Sequence, residues 1–240
     1  MPIQLTKALE KNQGWGYNIH MVISWFGLSS FKISSGNFTL VTDPFGKAVG
    51  LMPPRVQTDI ALISNGQSEF YNNQGSLSGE KIFVIDGPGE FDSKGVFVRG
   101  IAAMGDPKNK ASGFDYTTIY SIQMEDIRLG FLGSLKQKEL TETQLEELGE
   151  IQILMVPVGG NTVSDAEEAV TIINQIEPQI VIPMHYAQGG LKVSLDKVDP
   201  FLKEMGAGKI APQDKLTLKK SNLLEMPDTT QVVLLTPQRS

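Results

Sequence analysis

The chain has 240 residues, 40% of them hydrophobic and 20% charged, which is ample for a sizeable core. With 21 basic and 27 acidic residues, the net charge of −6 speaks against a nucleic-acid backbone or an anionic membrane surface as partner. The lack of cysteine excludes disulfides and thiolate-held metals, and no run approaches the roughly 20 apolar residues that cross a bilayer.

The opening stretch, "MPIQLTKALEKNQGWGYN", has no apolar signal-peptide core, so the default compartment is the cytoplasm. Residues 1–20 read as an extension of a single domain spanning 1–240, with His20 a partly exposed residue before the first strand. "MVISWFG" (Met21 to Gly27) and the alternating "SFKIS" predict strands, and the turn signal "SSGN" joins the latter to "FTLVTD" as a hairpin. A Pro/Gly-rich loop, Asp43 to Arg55, precedes further predicted strands: "DIALIS", Lys81 to Asp86, Gly95 to Ala103, Tyr116 to Met124 and Ile127 to Gly133.

From there helix and strand alternate. Thr141 with Gln144, and Ser164 with Glu167, have capping-box spacing, and each opens a predicted helix. Ala166, Ala169, Val170, Ile173 and Ile176 form one apolar helical face, which Pro178 ends. Ile151 to Val158 and Ile180 to Tyr186 read as buried strands. Asp199 and Pro200 start a last helix that stops at Gly206, and "KLTLKK" and "TQVVLLT" are late strands. Strands first, then alternation with wholly apolar strands, predict sheets covered by helices.

The polar loop "SNGQSEF" follows a strand. In an extended segment, residues i and i+2 share a face, so Asn65, Gln67 and Glu69 would converge as metal ligands do. The chemistry is weaker than the spacing, because amide oxygens are poor zinc ligands beside imidazole or carboxylate. The same residues also read as an ordinary polar turn. "GPGEF" reads as a tight turn rather than a phosphate loop, and "VPVGGN" as a connection to the helix capped at Ser164. Asp43 reads as a turn-capping carboxylate supporting the cleft from behind. His185 reads either as a ligand or as a strand-end histidine bonded to backbone.

Taken in order, "ISWFGLSSFKI", "LVTDPFGKAVGLMPPR", "DIALISNGQSEFYN", "VIDGPGEFDSKGVFVRGI", "GFLGSL", "VPVGG" and "IVIPMHY" resemble the metallo-β-lactamase superfamily. Within it they resemble small zinc-dependent hydrolases similar to ascorbate-6-phosphate lactonase. The resemblance implies an α/β (α+β) fold, an αββα sandwich of two mixed sheets flanked by helices. It also implies a His-x-His-x-Asp-His ligand motif, a ligand after a glycine turn, a bridging Asp and a last His. Carried onto this chain, Asn65 and Gln67 stand for the first two histidines, Glu69 for the Asp and Phe70 for the third histidine. Glu90 takes the place after the glycine turn, Ser134 that of the bridging Asp, and Leu28 a place where relatives carry a histidine; His185 is retained.

Two functions follow as expectations. The first is a hydrolase-like protein with a degenerate metal site, a pseudoenzyme without cofactor that binds a small molecule or a protein, in a regulatory or structural role. The second is a metal-dependent hydrolase of small esters, lactones or phosphodiesters. It would hold one divalent ion (Zn, Mn or Fe) on Glu69, Glu90 and His185, and the ion would acidify a bound water. Neither needs nucleic acid or membrane, and self-association is compatible with both.

Overall fold

The computed structural model describes residues 20–106 and 116–238. The first half of the chain lays down β1 (Met21–Gly27), β2 (Ser30–Ser35), β3 (Phe38–Thr42), β4 (Val56–Gln57), β5 (Ile60–Leu62), β6 (Leu77–Ser78) and β7 (Phe83–Ile85). Then come β8 (Gly89–Ser93), β9 (Val96–Met104), β10 (Tyr116–Met124) and β11 (Ile127–Phe131). The second half alternates α1 (Glu142–Leu148), β12 (Ile153–Pro157), α2 (Ala166–Ile176), β13 (Ile180–Met184), α3 (Asp199–Glu204), β14 (Leu216–Leu218), α4 (Lys220–Leu224) and β15 (Gln231–Val232).

These strands form a six-stranded sheet in the order β14-β1-β2-β3-β5-β7, a seven-stranded sheet in the order β15-β13-β12-β11-β10-β9-β8 and a small two-stranded sheet of β4 and β6. Both large sheets are mixed. Hairpins make β1–β2–β3 and β8–β9–β10–β11 antiparallel, while β3–β5–β7 and β11–β12–β13–β15 run parallel. The parallel strands β12 and β13 are buried along their whole length, which is why their sequences are apolar without alternation.

Alternation in β1 turns Met21, Ile23 and Trp25 inward and leaves Val22 and Ser24 half-buried. Trp25 stacks on Phe31 within the six-stranded sheet, and Tyr120 on Phe131 within the other, with ring centroids 6.3 and 6.4 Å apart. Each such buried ring contributes about 1.5–3 kcal/mol by leaving water. The Tyr120 hydroxyl crosses the core to donate to the Ile63 carbonyl at 2.7 Å, tying the two sheets beside the cleft described below.

Thr141 and Gln144 form the expected capping box on α1, and the Gln144 amide also donates to Ala102 O of β9 at 2.9 Å. On α2 the box lies one residue later than the sequence suggests. Asp165 and Glu168 make it, because the Ser164 hydroxyl is committed to the carbonyls of Leu135 and Gln137. Ala169, Ile172 and Ile173 are the buried stripe of α2. Likewise Val198, not Asp199, caps α3, and α4 has no counterpart among the expected elements.

The sandwich matches the expected fold with one difference. Helix α1 packs on β9 and β10, α2 on β12, and α3 on α2, so these helices belong to the seven-stranded sheet. The outer face of the six-stranded sheet instead opens into a groove, none of whose lining residues is helical. No helix among the described residues is long and apolar enough to cross a membrane.

Candidate functional site

One end of the sandwich carries a cleft of about 270 Å³ lined by Leu28, Asn65, Ser68, Phe70, Tyr71, Asp106, Ser134, Thr162, His185 and Val193. Five of these arrive from just past a strand: Leu28 from β1, Asn65 from β5, Asp106 from β9, Ser134 from β11 and His185 from β13. Strand ends place side chains on a rigid frame, as binding sites require.

Strain gathers at the same end. Leu28, Asp43 and His185 all have positive φ, at 48°, 35° and 56°. Non-glycine residues there cost of order 1–3 kcal/mol each and persist where surrounding contacts enforce them, mostly at functional sites. The enforcing contacts are visible: the Leu28 carbonyl accepts from Trp25 Nε1 at 2.9 Å and from the His185 amide at 3.0 Å.

Asp43, fully buried, lies behind the cleft as its sequence position suggests. Ser29 Oγ and Ser64 Oγ both donate to its Oδ2, and the Ser64 amide donates to Oδ1, each at 2.7 Å. Burial pushes the carboxyl up to about 7, against the pull of these donors. Ser64 is held from the other side as well, its carbonyl accepting from Thr118 N at 2.8 Å and Thr117 Oγ1 at 3.1 Å. Gly133 closes this corner: at φ +52°, a Cβ there would overlap the Ser64 side chain. Gly133→Ala is therefore expected to cost about 1–3 kcal/mol through overpacking. It would be read as a lower urea midpoint at unchanged slope.

The loop after Ser64 is not extended. Asn65 Oδ1 accepts from the Gln67 amide at 3.1 Å, and the Ser68 carbonyl accepts from Tyr71 N at 3.0 Å and Asn72 N at 3.1 Å. This curl points Asn65, Ser68, Phe70 and Tyr71 into the cleft and leaves Gln67 and Glu69 exposed. The expected convergence of Asn65, Gln67 and Glu69 on one face is corrected accordingly. Phe70 packs with Phe26, Leu28 and Val41 in a small core under the cleft.

Tyr71, unremarked in the sequence, is the larger aromatic wall. It is buried and stacks on His185, with centroids 5.7 Å and planes 27° apart. Burial drives its hydroxyl well above the usual phenol range, reinforced by the charges of Asp43 and Asp106, while Ser134 pulls the other way. The His185 ring is buried, its Nδ1 has no hydrogen-bond partner among the described residues, and desolvation lowers it to about 3, favouring the neutral ring. Ser134 Oγ lies 2.9 Å from Thr117 Oγ1.

Glu90 is not in the cleft. It sits exposed on β8, the edge strand, and pairs with Arg99 of β9, whose Nε donates at 3.0 Å. The carboxylate at the cleft is Asp106. The expected ion-holding set of Glu69, Glu90 and His185 is thus not assembled, and among the described residues no three His, Cys, Asp or Glu side chains group to hold a metal. What converges is one imidazole, one carboxylate, hydroxyls, and an Asn65 oxygen already engaged by a backbone amide. Catalytic zinc sites use three nitrogen, sulfur or carboxylate ligands, and the donors that the described residues bring to the cleft do not make one.

The profile of the beta-lactamase superfamily domain matches residues 22–185. A solved structure from Thermotoga maritima, assigned to the Zn-dependent hydrolases of the metallo-beta-lactamase superfamily, is 31% identical, with a TM-score of 0.71 over 90% of this chain and 98% of that one. The chain belongs to the metallo-β-lactamase superfamily. A UPF0173 protein of Pyrococcus abyssi is 27% identical over 71% of this chain and 85% of its own. A UPF0173 metal-dependent hydrolase of Methanosarcina mazei is 25% identical over 68% of this chain and 82% of its own. In this metallo-β-lactamase fold the cleft occupies the strand ends where His185 and the positions of Asn65, Phe70 and Ser134 meet. Gln67, Glu69 and Glu90 lie outside it.

Proposed function

We propose that this metallo-β-lactamase-fold chain binds a small, largely neutral molecule in the cleft and does not use a metal-activated water there. What supports this is the donor set that the described residues bring to the cleft, one imidazole, one carboxylate, an amide and hydroxyls, short of the three nitrogen, sulfur or carboxylate ligands of a catalytic zinc site. Asn65, Ser68, Ser134 and Thr162 offer polar contacts, and Leu28, Phe70 and Val193 an apolar wall. Such a mixture in a small concave site suits a metabolite-sized ligand with one polar and one apolar side.

A second reading is favoured by the relatives, several of which are named metal-dependent hydrolases. On that reading the cleft holds a single divalent ion through His185 and Asp106, and its substrates are esters, lactones or phosphodiesters. Metal analysis of chain purified with and without added zinc or manganese separates the two. The first reading expects metal far below one ion per chain, unchanged in Asp106→Ala and His185→Ala. Near-stoichiometric metal that either substitution removes, with hydrolysis appearing on loading, would establish the second and overturn the first.

A further inference from the structure

The groove on the outer face of the six-stranded sheet, about 1010 Å³, is larger than the cleft and lies away from it. Its floor is the outward set of β1–β3, including Ser24, Lys32 and Thr39, and segments 55–59 and 79–83 form its walls. A solvated sheet face is ordinary in antiparallel sheets; the charge here is not. Lys94 is matched by Asp59 at 2.6 Å, but Lys32, Arg55 and Lys81 have no ion pair among the described residues, against the single acid Glu80. On a chain of net charge −6 this is a local concentration of positive charge in a concave surface, where fields focus. Phe83, 41% exposed, adds an apolar contact.

The opposite face of the sandwich carries the complement. Helix α1 and its flanks hold Glu139, Glu142, Glu146, Glu147 and Glu150, all exposed, with Lys138 the only base in that stretch. None of the five makes an ion pair among the described residues. The helix packs on β9 and β10 of the seven-stranded sheet, so it cannot reach the groove of its own chain. A seven-residue helix is about 10 Å long and 10–12 Å across, a convex ridge on the scale of the groove.

We propose that the groove is the docking site for α1 of a second copy of this chain, Lys32, Arg55 and Lys81 receiving Glu142, Glu146 and Glu147. The contact is heterologous, head to tail, so it propagates into a ring or an open row rather than closing as a two-fold dimer. Charge complementarity of this kind sets partner choice and register and is strongly salt-dependent.

Sedimentation of the full chain at about 10 mM and about 1 M monovalent salt tests the proposal, since screening shortens from about 30 Å to 3 Å between them. Association at low salt that dissolves at high salt is expected. Lys32→Glu/Arg55→Glu/Lys81→Glu and Glu142→Lys/Glu146→Lys/Glu147→Lys should each weaken it at least tenfold, roughly a 1.4 kcal/mol change. An equimolar mixture of the two should associate again, because each supplies the surface the other needs. If the half-buried Lys32 change spoils folding, the exposed pair Arg55→Glu/Lys81→Glu carries the same test. A chain monomeric at low salt, association untouched by either set, or a mixture that stays dissociated would each overturn the proposal.

Discussion

Asp43→Ala is expected to lower the unfolding free energy by about 3–5 kcal/mol, because it leaves several buried hydrogen-bond donors without a partner. The carboxyl receives the Ser29 hydroxyl and both the hydroxyl and the amide of Ser64. Alanine strands all three donors at a buried position, at about 1–3 kcal/mol for each group left without a partner. It must also adopt φ 35°, which aspartate tolerates better than alanine. Asp43→Asn keeps the shape and the tolerance and is expected to lose far less. Urea unfolding gives the loss. Because Ser64 leads directly into the curled loop at 65–72, limited proteolysis at the exposed Gly66–Gln67 bond should also quicken in the alanine variant. Core-weakened variants elsewhere, matched for stability, should not share that local effect. Equal stability of wild type and Asp43→Ala would show that the cluster does not hold the cleft.

Much of this end of the molecule was legible in the sequence, and the reason for each exception is physical. Strand positions followed from alternation in "MVISWFG" and from the wholly apolar β12 and β13. The order of segments gave the sandwich, and the residue after the "FTLVT" strand gave Asp43 as a support. At 65–71 the sequence leaves two readings, a strand-like ligand spacing and an ordinary polar turn, and the turn is the one formed, because the Asn65 side chain and the Ser68 carbonyl close successive turns. That curl brings in Ser68 and Tyr71 and turns out Gln67 and Glu69. Glu90 enters the expected ligand set only through the family resemblance, which matches a position in the chain order and not a place in space. Asp106 enters the site because β9 runs nine residues to the same sheet end as β11 and β13, which only the sheet order reveals. A polar residue just beyond a long strand, here "GDP", was the available clue. The groove on the outer face of the six-stranded sheet was not legible, because the sequence reading expects sheets covered by helices and no local period marks a face left open.

The second large effect is in pH dependence, where two buried groups oppose each other. Folded Asp43 keeps its proton up to about pH 7, against an ordinary value of 3.8. Between those limits the folded state binds the extra proton, so this contribution to stability is full below 3.8 and is lost as pH rises through about 7. His185 acts in reverse. Its folded value is about 3 against 6.5, so the unfolded chain binds the extra proton, and this contribution is full above 6.5 and lost as pH falls toward 3. Each slope is about 1.4 kcal/mol per pH unit. Over the shared window, from 3.8 to 6.5, they cancel in the wild type. Single variants remove one slope and expose the other. Relative to wild type, Asp43→Asn should grow more stable as pH rises across the window. His185→Asn, which keeps a residue suited to φ 56°, should grow less stable. Each difference should span about 3–4 kcal/mol from end to end, since one pH unit is worth about 1.4. Taking differences from wild type cancels every other titrating group, so urea midpoints at matched pH values suffice. At pH 7 His185→Asn starts from a deficit of about 1–3 kcal/mol for the lost stacking on Tyr71 and the space left behind. That deficit should shrink or reverse near pH 4, where the wild-type ring is held neutral at a cost. Variant and wild-type curves that run parallel would mean that neither group is buried in the protonation state its surroundings impose.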